Sequence, residues 1–286
     1  MKKRKFGFVV DSTIGGDFGK SFFPDLSIVP LSIILDGETH LENDLSNNFF
    51  LKLLKENRTI TTSQPNPQLF LKAFEDQFEL GYEHLFCLTL SKTLSGTFDS
   101  ARKAKQILNK SNITIIDTES VGPGMLFILQ KFYEYLNNDY ELDYAKIMQK
   151  INKIKKQGTM FFSIENLKQL VANKRISEFK YFLGRLLKIK PILKFCKGSF
   201  TIEKNFRSWD NFFKYCLKYI KNFKNKYGII KVQIIYVDDD IMAQILKKNI
   251  EQLNDSDIKI SIYGSISPII AVHLGYTGFG FYLNQF

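Results

Sequence analysis

The chain has 286 residues, 44% of them hydrophobic and 27 of them Phe, enough for one large domain or two modest ones, with apolar surface to spare for a ligand cavity. Its formal charge of +11 permits an acidic partner, nucleic acid or an anionic membrane. The lysines are spread along the whole length, however, and alternate with apolar residues as solvated helix faces do, which counts against a dedicated nucleic-acid surface.

Cys87, Cys196 and Cys216 stand far apart, which argues against a disulfide framework or a zinc site and fits a reducing compartment. The apolar run Phe6–Val10 is too short for a secretory signal, and no stretch reaches the length of a transmembrane helix. A cytoplasmic protein is expected.

In chain order, Phe6–Val10 reads as a buried strand closed by Asp11, Ser12 and Thr13. Gly15, Gly16 and Gly19 follow in an order that does not match the dinucleotide fingerprint. The apolar segment Ile28–Leu35 is interrupted by Pro30, which predicts an irregular or edge strand, and Asp36-Gly37 turns the chain. Leu45–Leu54 is amphipathic with helical spacing. Thr61-Thr62-Ser63-Gln64-Pro65-Asn66-Pro67 leads into a helix through Phe70, Phe74 and Phe78, with Pro67 suited to its first turn. Leu85–Leu88 is a second buried strand, followed by the hydroxyl-rich crossing Thr89–Thr97 and a helical pattern from Phe98. Ile113–Ile116 ends in Asp117-Thr118-Glu119-Ser120, and Gly122-Pro123-Gly124 opens a helix over Met125–Tyr135.

Alternating strands and helices predict an α/β protein with a parallel sheet. Ligands gather at the carboxyl ends of such strands, which puts Asp11–Thr13, Ser91–Ser95 and Asp117–Ser120 on one rim. A lysine-rich helix over Tyr140–Gln157 and then Gly158 suggest a domain boundary. Beyond it come a strand at Thr159–Ser163, a short helix at Ile164–Val171 and a loop at Asn173–Ser177. Ile189–Phe195, with Pro191, reads as an edge strand that turns at Lys197-Gly198-Ser199 into a hairpin. A helix over Phe206–Phe223 carries Trp209; Ile229–Val237 and Ile258–Ile262 are strands flanking a helix at Ile241–Leu253. The final stretch Ser267–Gly280 is apolar, glycine-punctuated and contains His273.

Two places have more polar groups than folding requires. Ser95 stands before a helix N-terminus, where open N–H groups attract an anion, although a serine there also serves as a simple cap. Thr61, Thr62, Ser63 and Gln64 exceed what capping of the next helix needs. No G-x-S-x-G elbow, metal-ligand cluster or P-loop is present, and the S-x-x-K match at Ser100–Lys103 lacks its companion motifs.

The motifs VVDST (Val9–Thr13), TTSQPNP (Thr61–Pro67), LSGTFDSA (Leu94–Ala101), IIDTESVGPG (Ile115–Gly124), KRIS (Lys174–Ser177), KPIL (Lys190–Leu193) and SPIIAVHLG (Ser267–Gly275) together resemble the DegV family over essentially the full chain. Members of that family include the fatty-acid-binding subunits of bacterial fatty-acid kinase. The resemblance implies a two-lobed α/β (EDD) fold with the ligand between the lobes. An N-terminal lobe over 1–157, completed by 275–286, would carry the parallel sheet, and a smaller α/β lobe would span 158–274. It also implies that Thr62, Ser63, Ser95, Gly96 and His273 bind a long-chain fatty acid, the carboxylate held by hydroxyls and the histidine and the tail in an apolar tunnel. Arg175 would lie near the headgroup and the partner surface.

Asn173 and Lys174 stand where the family has two glycines, Val272 where a hydroxyl residue is usual, and Tyr276-Thr277 where Pro-Gly is usual. Nominees for the tunnel are Ile28–Leu35, Phe161–Leu170, Phe179–Leu187 and Ile266–Val272, each of which also reads as ordinary core.

By the same resemblance the chain would be a binding subunit, not an enzyme. It would have no catalytic residues, cofactor or metal of its own, and would present its ligand to a separate ATP-dependent kinase that makes an acyl phosphate. Its basic surface would suit an acidic partner or transient contact with anionic membrane. A serine hydrolase or acyltransferase using Ser95 and His273 is the alternative, and a basic nucleic-acid-binding regulator a third reading.

Overall fold

The computed structural model describes residues 5–15, 21, 23–56, 58, 60–138, 144–164 and 189–286. Arg175, the loop around it, most of the helix expected at Ile164–Val171 and the apolar nominee Phe179–Leu187 lie outside the described residues. The chain divides into two compact units, Met1–Ile151 with Ser267–Ile269, and Asn152–Ile266 with Ile270–Phe286. The division therefore falls inside a helix, Tyr144–Gln157, a little before Gly158.

In the first unit the strands are β1 (Phe6–Asp11), β2 (Ser27–Val29), β3 (Ser32–Leu35), β4 (Glu38–Leu41), β5 (Ile60–Ser63), β6 (His84–Thr89) and β7 (Ile113–Asp117). The expected parallel sheet runs β2-β1-β6-β7. Phe8–Val10 and Leu85–Leu88 are all buried, as a strand covered on both faces requires. On one face Val9 and Cys87 pack with Phe70 and Phe74 of α2 (Pro67–Glu79) and Ala101 and Ala104 of α3 (Thr97–Leu108). On the other, Phe8 and Phe86 meet Phe132 of α4 (Pro123–Asn138) with ring centroids 5.4 and 4.9 Å apart. Each such buried ring contributes roughly 2–3 kcal/mol of transfer free energy.

The segment read as one interrupted strand is two strands in two sheets. Pro30 and Leu31 separate β2 from β3, and β3 is the centre of a small antiparallel sheet ordered β4-β3-β5. Gln77, fully buried on α2, fixes the first sheet. Its Oε1 accepts Phe8 N–H at 3.2 Å, and its Nε2 donates to Asp25 O at 2.6 Å and Ser27 Oγ at 2.9 Å. Gly7 makes room for it, since a Cβ there would lie 2.5 Å from Gln77 Oε1.

The second unit contains β8 (Thr159–Ser163), β9 (Lys190–Cys196), β10 (Ser199–Phe206), β11 (Ile230–Tyr236), β12 (Ile258–Ser265) and β13 (Phe279–Gln285). They form one sheet ordered β10-β9-β8-β13-β11-β12, antiparallel except for β11–β12. Two expectations are corrected here. Residues 275–286 do not complete the first lobe, because β13 pairs with β8 and β11. That position demands glycine at 280, where a Cβ would fall 2.0 Å from the Phe161 carbonyl oxygen. Nor is β9 an edge strand, since it lies between β10 and β8. The ladder to β8 covers only Leu193–Cys196, so Pro191 lies past the end of that ladder and needs no N–H on that side. The β9–β10 hairpin turns as expected, with positive φ at both Lys197 (52°) and Gly198 (79°).

Helix α6 (Trp209–Tyr227) covers this sheet with Phe212, Phe213, Cys216, Ile220 and Phe223, spaced three or four apart except for the adjacent pair at 212 and 213. Ser208 caps it, Oγ accepting Asn211 N–H at 3.4 Å.

Candidate functional site

The rim at the carboxyl ends of β1, β6 and β7 is tied together by buried polar groups. Asp11, at the last position of β1, is fully buried. Its Oδ1 accepts Thr13 N–H at 3.1 Å and Thr13 Oγ1–H at 2.5 Å, while Oδ2 accepts Leu90 N–H at 2.5 Å. Burial pushes its carboxyl up to about 6 against the pull of these hydrogen bonds. From β7, Asp117 Oδ1 accepts Lys92 N–H at 3.3 Å, and the Ser120 carbonyl accepts Ser91 N–H at 2.8 Å. The turn Leu90–Ser95 is thus held from both neighbouring strands, and it closes on itself through Leu94 N–H and Ser95 N–H to Ser91 O.

Ser95, half-buried, follows from that turn. Its Oγ lies 2.8 Å from Thr97 Oγ1 and accepts Thr97 N–H at 3.3 Å. Gly96 occupies the N-cap position of α3 and has no side chain, so the Ser95 hydroxyl takes the N–H of the first helical residue, Thr97, as the capping reading expects. Asp99 is the acid in that first turn, paired with Arg102 at 3.1 Å.

Thr62 and Ser63 end β5, half-buried, opposite Ile33 and Ser32 of β3. Gln64 follows and bridges the two hydroxyl-rich stretches. Its Nε2 donates to Ser100 Oγ at 2.9 Å, and a Cβ at Gly96 would lie 1.7 Å from its Oε1. Residues 61–67 and 94–101, about thirty positions apart in sequence, therefore meet in space within one unit. His273, in the last turn of α8 (Pro268–Leu274), belongs to the second unit and is half-buried.

Glu42 is a second buried carboxyl of the first unit. Its Oε1 accepts Ile269 N–H at 3.4 Å, and its own N–H donates to Leu31 O at 2.9 Å. Burial raises its carboxyl, opposed by Ser12, Ile269 and Ser267, and Asp11 adds to the rise. Ser12 Oγ also accepts Leu31 N–H at 3.0 Å.

A family profile described as "Uncharacterised protein, DegV family" matches residues 5–284. The chain belongs to the DegV family. A DegV domain-containing protein of Listeria innocua is 29% identical to it over 288 residues, covering 95% of each chain. One from Staphylococcus aureus strain COL is 27% identical over 278 residues, covering 95% of this chain and 96% of the other.

Among solved structures, the fold is similar to that of a DegV family protein from Thermus thermophilus described as fatty-acid-binding, with a TM-score of 0.87, 22% identity and coverage of 99% and 100%. A DegV family protein from Streptococcus agalactiae, also described as fatty-acid-binding, gives a TM-score of 0.87 at 21% identity with the same coverage. These likenesses establish the α/β DegV fold.

Within this DegV fold, the two hydroxyl-rich stretches that the sequence marks, which contain Thr62, Ser63, Ser95 and Gly96, meet in space. Neither Gln64 as the bridge nor Glu42 was expected from the sequence. The Gln64 signal was present as the amide inside the TTSQP motif; Glu42 sits in a polar run that nothing in the sequence marks as buried. The second unit also contains an open groove of about 580 Å³ between β10 and α6, lined by Lys204, Lys214 and Lys218 together with Tyr215 and Tyr219, with Lys204 Nζ 5.3 Å from the centre of the Tyr215 ring. Among the described residues no group of three or more His, Cys, Asp or Glu could hold a metal ion. No described helix is long and apolar enough to cross a membrane.

Proposed function

We propose that this DegV chain binds a long-chain fatty acid, with its carboxylate on Thr62, Ser63, Ser95 and the Gly96 amide, assisted by His273. The observation that carries the reading is the Gln64 bridge, which sets the hydroxyl-bearing end of β5 beside the N-terminus of α3. A carboxylate leaving water loses several kcal/mol or more of solvation, and clustered hydroxyls at a helix N-terminus offset that loss. Support also comes from the solved DegV relatives that are described as fatty-acid-binding. The tail supplies the affinity: about 0.8 kcal/mol per methylene, or roughly 10 kcal/mol gross for sixteen carbons, in an apolar tunnel.

In this reading the chain is a subunit that presents its ligand to a separate ATP-dependent kinase, with Arg175 near the headgroup and the partner. The basic groove of the second unit gives an acidic partner, or transiently an anionic membrane, a place to dock. Titration with palmitate tests both steps. Thr62→Ala and Ser95→Ala each remove a hydrogen bond to a charged group and should weaken binding about tenfold or more. Arg175→Ala should leave binding within about twofold yet reduce acyl-phosphate formation in a reconstituted kinase assay. Unchanged affinity in both hydroxyl variants would contradict the headgroup assignment, and equal loss of binding in Arg175→Ala would contradict the division of labour.

A further inference from the structure

The Asp11-Ser12-Thr13 motif lies at the carboxyl ends of the parallel strands, yet its carboxylate is fully buried and accepts hydrogen bonds from Thr13 and Leu90. A charge placed so deep is costly unless it does something a neutral residue could not. Its three hydrogen bonds show what that is. Oδ1 fixes the 3₁₀ turn that follows β1, and Oδ2 reaches across to Leu90 N–H, the first residue of the turn that delivers Ser95. Among the described residues no other side chain reaches that N–H; Asp117 holds the next-but-one position from the opposite strand.

Resting on the fatty-acid reading above, we propose that Asp11 is a positioning residue for the ligand headgroup: as a carboxylate it holds the Leu90–Ser95 turn in the geometry that presents Ser95 and the α3 N-terminus, and as a carboxylic acid it lets that turn loosen. A proton on Oδ2 would face Leu90 N–H, and a proton on Oδ1, donated to a Thr13 hydroxyl that turns to Met125 Sδ at 3.3 Å, leaves Oδ2 a neutral and weaker acceptor for Leu90 N–H. Raised by burial to about 6, Asp11 changes state within the range a cell can reach. The ionisable groups that face it are Glu42, whose charge disfavours that of Asp11, and the buried Cys87 thiol, itself raised by burial and by Asp11. Acidification would therefore release fatty acid, and neutral pH retain it.

The palmitate carboxyl titrates in the same interval, so the test is a ratio. Palmitate affinity is measured for the wild type and Asp11→Asn from pH 7.5 to pH 5, with hydrogen exchange followed at residues 90–96 and, as a control, at α2. The expected wild-type advantage is about tenfold at pH 7.5 and falls towards unity at pH 5. The expected exchange at 90–96 is faster in the variant at pH 7.5, with α2 unchanged. A ratio independent of pH, or undisturbed exchange at 90–96, would overturn the proposal. If Asp11→Asn does not fold, the wild type alone decides, because exchange at 90–96 must accelerate relative to α2, after correction for intrinsic rates, as pH falls through about 6. Failure of the wild type to bind palmitate at any pH would instead count against the fatty-acid reading itself.

Discussion

Gln64 lies against Gly96, in the space that a side chain at 96 would fill. The glycine has an ordinary φ of −73°, so its role is space and not backbone freedom. A Cβ there would lie 1.7 Å from Gln64 Oε1. Gln64 is exposed and can swing away, so Gly96→Ala should change stability by less than about 1 kcal/mol. The cost should appear at the site instead, because the Gln64–Ser100 hydrogen bond is lost and the two hydroxyl stretches are no longer tied. Palmitate affinity should fall several-fold in Gly96→Ala and by a similar factor in Gln64→Ala. The double variant should be no worse than either single one, since both remove the same contact. Additive losses in that cycle would show that the two residues act separately.

At the level of elements, most of the fold was legible in the sequence because its strands announce themselves. Phe6–Val10 and Leu85–Leu88 are short apolar runs ended by polar clusters, and the structure makes them adjacent parallel strands. Pro67, with Asn66 Oδ1 accepting Gln68 N–H at 3.0 Å, opens α2 where the sequence placed it. What was not legible depends on partners distant in sequence. Pro191 suggested an edge because proline lacks an N–H, but the outcome turned on how far β8 extends beside it. The C-terminal strand gave no sign of its sheet; β13 could have joined either unit, and only its pairing with β8 and β11 decides. The short strand β5 was hidden because Ile60-Thr61-Thr62-Ser63 looks like a polar lead-in to a helix. At the site, hydroxyls were visible as a cluster, whereas the burial of Asp11 and Glu42 was not, since a carboxyl at a strand end is usually solvated.

For the molecule as a whole, the buried acids set the pH dependence of stability. Asp11 has a folded-state value raised from 3.8 to about 6, so its contribution to stability is fully present below about pH 4 and lost as pH rises through about 6. For a fully buried carboxyl that rise corresponds to about 3 kcal/mol, and Glu42 acts in the same direction. Denaturant unfolding should therefore show the wild type losing stability relative to Asp11→Asn between pH 4 and pH 7; a constant difference would mean that Asp11 titrates at its ordinary value. The condition that favours the fold at Asp11 is then the one under which the proposed positioning of Ser95 would release a ligand.

The central claim, a fatty acid held by clustered hydroxyls, is tested most directly by the lipid that accompanies the protein. Purified under gentle conditions at neutral pH, extracted and analysed by mass spectrometry, the wild type should yield about one long-chain fatty acid per chain, and a Thr62→Ala/Ser95→Ala double variant far less at equal folded yield. Wild-type protein that is folded, carries no fatty acid and takes none up from added palmitate would contradict the account.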